Sequence, residues 1–291
     1  MGGLGNQMFQ YAAAAGLAAK HGTEVGLDMI FFEDIAAGDT SRQYELDCFG
    51  LDTYAGVLIT PGKRPVEDPA SEYAGRRGRL RKISHLMLGH RWGIYREPYH
   101  NFDPEMLKQP VQTYLIGYWQ TEKYFKHIRQ DLLEDFEFIL KPTGKNKEHL
   151  KRIENSEAVS IHVRRGDYVT NESANKFHGT KDLAYYQAAL KPVLRKTRKP
   201  VLFVFSDDPE WCKQNLKFSQ ETVYVEGNKK GFEDMRLMSR CKHNVLANSS
   251  FSWWAAWLNL NSDKVVVAPK QWFNDPSINI SDVIPETWLK I

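Results

Sequence analysis

Ala158-Val159-Ser160-Ile161-His162-Val163-Arg164-Arg165-Gly166-Asp167 decides the fold, because a short apolar run of β type stops abruptly at two arginines, a glycine and an aspartate. Such a run, bounded by polar residues, reads as a strand. The pattern recurs downstream at 201–205, 222–225, 244–247 and 265–268. Helix-length segments at 183–196, 209–216, 232–241 and 251–258 separate these runs, and the alternation predicts a parallel sheet in an α/β domain. Pro209 suits a first helical turn, where its missing N–H is not needed.

Upstream, Gly2-Gly3-Leu4-Gly5-Asn6 enters an Ala-rich stretch, 7–20, of high helix propensity, and the short run 25–28 follows it. Residues 113–117 read as a strand and 122–136 as an amphipathic helix, whereas 41–100 has too weak a periodicity to assign. Breakers and charge combine at 141–147, the expected linker between domains 1–145 and 146–291.

Composition sets outer limits. A chain of 291 residues, 42% hydrophobic and 26% charged, is long enough for two modest domains. Its apolar runs are far shorter than the roughly 20 residues of a membrane-spanning helix. The N-terminus lacks the charged-then-apolar order of a secretory signal, so a cytoplasmic protein is expected. Cys48, Cys212 and Cys241 are too few and too scattered for a disulfide framework or a CxxC metal pair, and reduced thiols are expected. A net charge of +3 does not announce a nucleic-acid partner, and none is expected. The basic run RRGRLRK at 76–82 reads either as a solvated surface or as a peripheral contact with anionic lipid of the inner membrane.

Three polar clusters follow three of the predicted strands: His162 to Asp167, Ser206-Asp207-Asp208, and Asn248-Ser249-Ser250-Phe251. Ligands of open α/β sheets bind at the carboxyl ends of the strands, so one crevice can gather all three clusters. The residue types suit a nucleoside diphosphate. Arg164 and Arg165 can fork onto phosphate oxygens. Asn248, Ser249 and Ser250 precede a predicted helix whose positive end attracts an anion. Asp207 or Asp208 can accept from N1–H and the exocyclic amine of guanine, a donor pair that adenine lacks at that edge. Asp208 reads equally as a helix N-cap, as does Ser249, and of the two arginines one can point away. Trp253, Trp254 and Trp257 read as core. In the first half, Gly5 would let a ligand approach the backbone, while Asn6 and Gln7 offer hydrogen bonds to a pyrophosphate or a sugar hydroxyl. Tyr114, Tyr118, Trp119 and Tyr124 read either as platforms for a sugar or as core.

GGLGNQMFQYA from Gly2, GYWQTEKYF from Gly117, HVRRGDYV from His162, FSDDPEWC from Phe205 and EDMRLMSRCKHNVLANSSFSWWAAWL from Glu233 together resemble the bacterial α-1,2-fucosyltransferases, over nearly the whole chain. The resemblance implies an α/β fold of two facing Rossmann-like domains, the GT-B type of glycosyltransferase. It implies GDP-fucose as donor substrate, held chiefly by the C-terminal half, with no other cofactor. It implies inversion of the donor to an α-L-fucoside on a terminal β-galactoside, in an oligosaccharide or glycolipid acceptor. Arg164 would contact the β-phosphate and be the catalytic residue, His162 and Asp207 or Asp208 would hold the nucleoside, and Ser249 and Ser250 the phosphates. HVRRGDY and SDD recur more loosely in α-1,6- and protein O-fucosyltransferases, which therefore stand as alternatives, as does a nucleotide- or glycan-binding module with weakened turnover. Relatives carry an apolar strand before GGLGN; here Met1 stands at the turn, so a truncated chain or a lost strand is expected. No D-x-D pair occurs, and no metal is expected, since arginines and a helix end can offset the leaving-group charge. The general base has no motif; Asp28, Glu33 and Asp34 are the available carboxylates.

Overall fold

The computed structural model describes residues 1–28, 32, 43–51, 58–59 and 93–291, which divide into two compact units, Met1–Glu137 and Phe138–Ile291. The basic run 76–82 and the carboxylates Glu33 and Asp34 lie outside the described residues.

In the first unit, the Ala-rich stretch forms helix α1 (Leu4–His21), which ends on Gly22 in the left-handed region at φ 60°, its N–H bonding the carbonyls of Ala18 and Ala19. Strands β1 (Leu27–Asp28) and β2 (Leu58–Ile59) pair in parallel, as do β3 (Gly93–Arg96) and β4 (Thr113–Ile116). The single helix expected over 122–136 is broken. Two 3-10 turns, Glu122–Tyr124 and Lys126–Ile128, precede a shorter helix α2 (Arg129–Asp135). Phe125 between them leaves helical geometry, at φ −139° and ψ 0°. Tyr124 and Phe125 are buried, with Phe125 against Phe9 of α1 at 6.1 Å between rings, and this packing overrides the local helical pattern.

The second unit contains α3 (Gly144–Glu154), β5 (Glu157–Val163), α4 (Gly166–Thr170), α5 (Glu172–His178), α6 (Leu183–Leu194), β6 (Pro200–Ser206), α7 (Pro209–Asn215), β7 (Glu221–Val225), α8 (Gly231–Arg240), β8 (His243–Val245), α9 (Ser250–Leu258), β9 (Val266–Ala268) and β10 (Leu289–Lys290). The stretch expected as a linker thus runs into α3. The strands form one six-stranded sheet, parallel throughout, in the order β10-β9-β8-β5-β6-β7. Read from β7, this is the strand order of a Rossmann-type sheet, and it reverses direction between β5 and β8. Open α/β sheets bind ligands at such a switch point, outside the carboxyl ends of the strands. Val159, Ile161 and Val163 of β5 pack in one core cluster with Leu190 and Val193 of α6, Leu202 and Val204 of β6, Val245 and Val267.

A buried amide network fixes the two strands that flank the switch point. Asn244 of β8, fully buried, donates to Ser160 Oγ of β5 at 2.7 Å and to the Met238 carbonyl of α8 at 2.9 Å, and accepts from Asn259 at 2.7 Å. Asn259 also donates to the Cys241 carbonyl at 2.8 Å. Its partners have no water to turn to, so Asn244→Ala should cost about 3 kcal/mol of stability, the desolvation of more than one orphaned group. Urea denaturation checks this; a variant within experimental error of the parent would contradict it.

Candidate functional site

Asp207 stands at the exit of β6, and its carboxylate is shared between two consecutive residues at the exit of β5. Oδ2 pairs with an Arg164 guanidinium nitrogen at 2.8 Å, and Oδ1 accepts the Arg165 backbone N–H at 2.9 Å. Glycine at the next position leaves this carboxylate in place: a Cβ on Gly166 would lie 2.5 Å from Asp207 Oδ2 and push it aside. Arg164 thereby keeps a fixed orientation, with its guanidinium 5.4 Å from the Tyr168 ring.

Arg165 is held differently. Its Nε pairs with Asp208 Oδ2 at 3.2 Å, and its guanidinium lies over the Trp211 ring at 3.8 Å, in the range of a cation–π contact. Asp208 Oδ1 accepts the Trp211 N–H at 3.1 Å and so caps α7. Of the two readings open for Asp208, the cap is therefore realised. Trp211 was not singled out from sequence, because its partner Arg165 is distant along the chain and no local motif joins the two.

Ser249 caps α9, its hydroxyl accepting the Phe251 N–H at 3.3 Å, and Ser250 begins the helix. The first-turn amides put the positive end of α9 at the switch point. Asn248 is buried and its amide nitrogen reaches the carbonyls of His178 (2.8 Å), Gly179 (3.3 Å) and Trp272 (3.1 Å), which ties down the loop after α5. Phe251 turns its ring toward His162, with centroids 5.4 Å apart. His162 itself is 5% exposed, and its Nδ1 has no hydrogen-bond partner. Burial, aided by the neighbouring Arg164 cation, pushes its pKa down to about 3, so the ring is neutral at physiological pH.

The first-unit residues are placed as follows. Gly5, Asn6 and Gln7 lie in the first turn of α1 rather than in a loop before it. Gln7 is engaged on both sides of its amide, donating to the carbonyls of Gly2 and Gln43 at 2.9 Å and accepting the Glu45 N–H at 2.9 Å. The Leu4 N–H at the start of the helix is taken by Glu45 Oε2 at 2.8 Å, a carboxylate in the place where the sequence suggested a phosphate. Asn6 accepts from Gln120 at 2.9 Å. Asp28 accepts the Tyr114 hydroxyl. Trp119 and Tyr124 are core, and so are Trp253, Trp254 and Trp257.

Fold and site together define an α/β protein with two aspartate-held arginines and a helix N-terminus at the switch point of a parallel sheet. The sequence pattern described as Glycosyl transferase family 11 matches residues 90–291. The chain is 35% identical to an alpha-1,2-colitosyltransferase of Escherichia coli, over 100% of this chain and 96% of that protein. It is 33% identical to the O-antigen biosynthesis glycosyltransferase WbnK of Escherichia coli, over 100% and 98%. Against a galactoside alpha-(1,2)-fucosyltransferase 2 of Sus scrofa it is 32% identical, over 50% of this chain and 45% of that one. The chain belongs to glycosyl transferase family 11 and is a glycosyltransferase.

His162 gives the site a pH signature. Its folded pKa is depressed from 6.5 to about 3, so below pH 6.5 the unfolded chain binds a proton that the folded one refuses. That contribution is absent above pH 6.5 and becomes an increasing loss of stability as pH falls toward 3. Asp234 acts with the opposite sign, since burial raises its pKa to about 6. Comparison with His162→Gln isolates the histidine: from pH 7.5 to pH 5 the parent should lose about 2 kcal/mol more than the variant, by denaturant unfolding at each pH. Equal losses would show that His162 is not held neutral.

Proposed function

We propose that the enzyme transfers L-fucose from GDP-fucose to the 2-hydroxyl of a terminal β-galactoside, with inversion and without a metal ion. The scaffold would be of GT-B type, with the donor on residues 146–291 and the acceptor on residues 1–145. The observation that carries this reading is the Arg164–Asp207 pair at the switch point beside the positive end of α9. Both side chains are about a quarter exposed, so the pair contributes on the order of 1 kcal/mol. A charge-assisted fork from arginine to phosphate in a drier crevice is worth about 1.5–3 kcal/mol. A diphosphate therefore wins Arg164, which Asp207 holds pre-oriented until the donor arrives.

In the transfer, the galactoside 2-oxygen forms a bond to the anomeric carbon of fucose as the bond from that carbon to the β-phosphate oxygen breaks. The electron pair leaves with GDP, and the hydroxyl proton passes to a carboxylate or to solvent. Arg164 and the amides of α9 meet the negative charge that grows on the leaving group, which is the work a metal would otherwise do. His162 Nδ1 and the carboxylates of Asp207 and Asp208 are the groups available to the guanine; a carboxylate oxygen can accept a second hydrogen bond beside the one it already has. The alpha-1,2-colitosyltransferase relative favours a second reading in which the sugar is colitose on the same nucleotide. Turnover with the two GDP-sugars side by side separates these readings.

Thermal stability should rise with GDP far more than with UDP or ADP, because only the ligand that the folded state prefers shifts unfolding; equal shifts would remove the guanine assignment. Turnover should survive EDTA, and loss restored by manganese or magnesium would contradict the proposed charge compensation. Arg164→Lys should lower kcat by about two to three orders of magnitude with a smaller loss of donor affinity, and Arg165→Lys should do less, because Asp208 and Trp211 already hold Arg165. Near-normal turnover in a folded Arg164→Lys enzyme would take the residue out of catalysis.

A further inference from the structure

The first unit carries a strained, carboxylate-clamped loop at the exits of two parallel strands. Glu97 directly follows β3, and its N–H reaches the Ile116 carbonyl at the end of β4, at 2.8 Å. Its carboxylate then gathers the next turn: Oε2 accepts the Tyr118 N–H at 2.6 Å and Oε1 accepts the Trp119 N–H at 3.0 Å. Gly117 lies so close that a Cβ there would be 2.4 Å from Glu97 Cβ and 2.9 Å from the Trp119 ring. Trp119 holds φ at +57°, in the left-handed region, which costs a bulky residue about 1–3 kcal/mol. The cost is met by Glu97 and by burial, since Trp119 is 1% exposed, stacked on Tyr95 at 6.3 Å and edge-on to Tyr124 at 5.5 Å.

This geometry has an outward consequence. With Trp119 turned into the core, Tyr118 is turned out and is 39% exposed. Gln120, next along, donates to Asn6 of α1 at 2.9 Å, which places amide side chains beside the loop. Core packing alone would be served by Trp119 in ordinary backbone geometry, and it gives no reason to clamp an exposed tyrosine at the carboxyl ends of a parallel strand pair. Strain retained at such a place is a mark of function, and strand exits are where α/β proteins bind ligands. An exposed tyrosine ring matches the C–H face of a pyranoside, and amide groups of the same loop suit its edge of hydroxyls.

We infer that the exits of β3 and β4 form the acceptor-sugar subsite, with Tyr118 as the platform beneath a terminal galactoside and Glu97 as the positioning residue that presents it. The inference rests on the glycosyl-transfer reading above and names the acceptor side of it. Glu97 acts through the backbone of the loop, so its replacement should weaken acceptor binding and leave the donor site alone.

The test uses methyl β-D-galactopyranoside and lactose with the full chain. Galactoside binding is followed by saturation-transfer NMR with GDP present, GDP binding by calorimetry, and kcat and acceptor KM with GDP-fucose. Tyr118→Ala should weaken galactoside binding and raise acceptor KM about tenfold, the worth of one aromatic contact, with GDP affinity unchanged. Tyr118→Phe should restore binding, since the ring rather than the hydroxyl is the platform. Glu97→Gln puts an amide donor where an acceptor is needed, and it should raise KM more than it lowers kcat. Parental galactoside binding in Tyr118→Ala, or a parallel loss of GDP affinity, overturns the subsite, as does a parent enzyme that binds GDP but neither galactoside. A parent that binds galactosides through Tyr118 yet ignores GDP leaves the subsite standing and refutes the donor reading.

Discussion

One carboxylate organises the second unit's crevice. Asp207 joins the ends of two neighbouring strands, and it does so with both oxygens, one on the Arg164 guanidinium and one on the Arg165 backbone. Because the two arginines are consecutive at the end of an extended strand, their side chains leave in different directions. The carboxylate decides which of them stays at the crevice: Arg164 is held by Asp207, whereas Arg165 is drawn away to Asp208 and Trp211. Gly166 is the corollary, since any larger residue would push into the same carboxylate. The chain then turns directly into α4, and the Tyr168 hydroxyl of that helix reaches back to the Asn248 carbonyl at 3.3 Å. The exits of β5, β6 and β8 are thus tied to one another by polar contacts as well as by the sheet.

Behind the crevice the structure is stiff. Helix α9 is apolar on all sides, as expected of a helix buried all round, and its tryptophans pack on one another and on Trp288. The Trp253 indole N–H donates to the Val283 carbonyl at 2.7 Å, which anchors the helix to the segment before β10. The Asn244–Asn259 network ties the other end of α9, where Asn259 follows the last turn, to β8 and through Ser160 to β5. A rigid support matters for transfer chemistry, because dipoles that stabilise a leaving group are useful only if they need not reorganise as charge develops.

Much of the second unit was legible in the sequence. Each apolar run from 158 to 268 became a strand of the parallel sheet, because branched apolar residues between turn signals leave few alternatives. Strand order was not legible, since it depends on which edges meet in space, and β10 has only Leu289 and Lys290 to announce it. In the first unit, periodicity over 122–136 pointed to one helix, but burial of Tyr124 and Phe125 against α1 decided otherwise. At the crevice, residue types pointed to an anion, yet only coordinates could divide labour between Arg164 and Arg165, or reveal that Asn248 and Gln7 hold backbone segments. Glu45 and Glu97 escaped notice for one reason: each acts on backbone N–H groups at least 20 residues away in sequence, and no local motif records that.

Arg164, held ready by Asp207, is the cation that we propose a donor phosphate takes over. The most direct measurement is a crystal structure of the full chain with GDP bound. It should place the β-phosphate within hydrogen-bond distance of the Arg164 guanidinium and of the first amides of α9, with Arg165 still on Asp208 and Trp211. A diphosphate bound through Arg165, or lying away from the start of α9 with Arg164 undisturbed on Asp207, would contradict it.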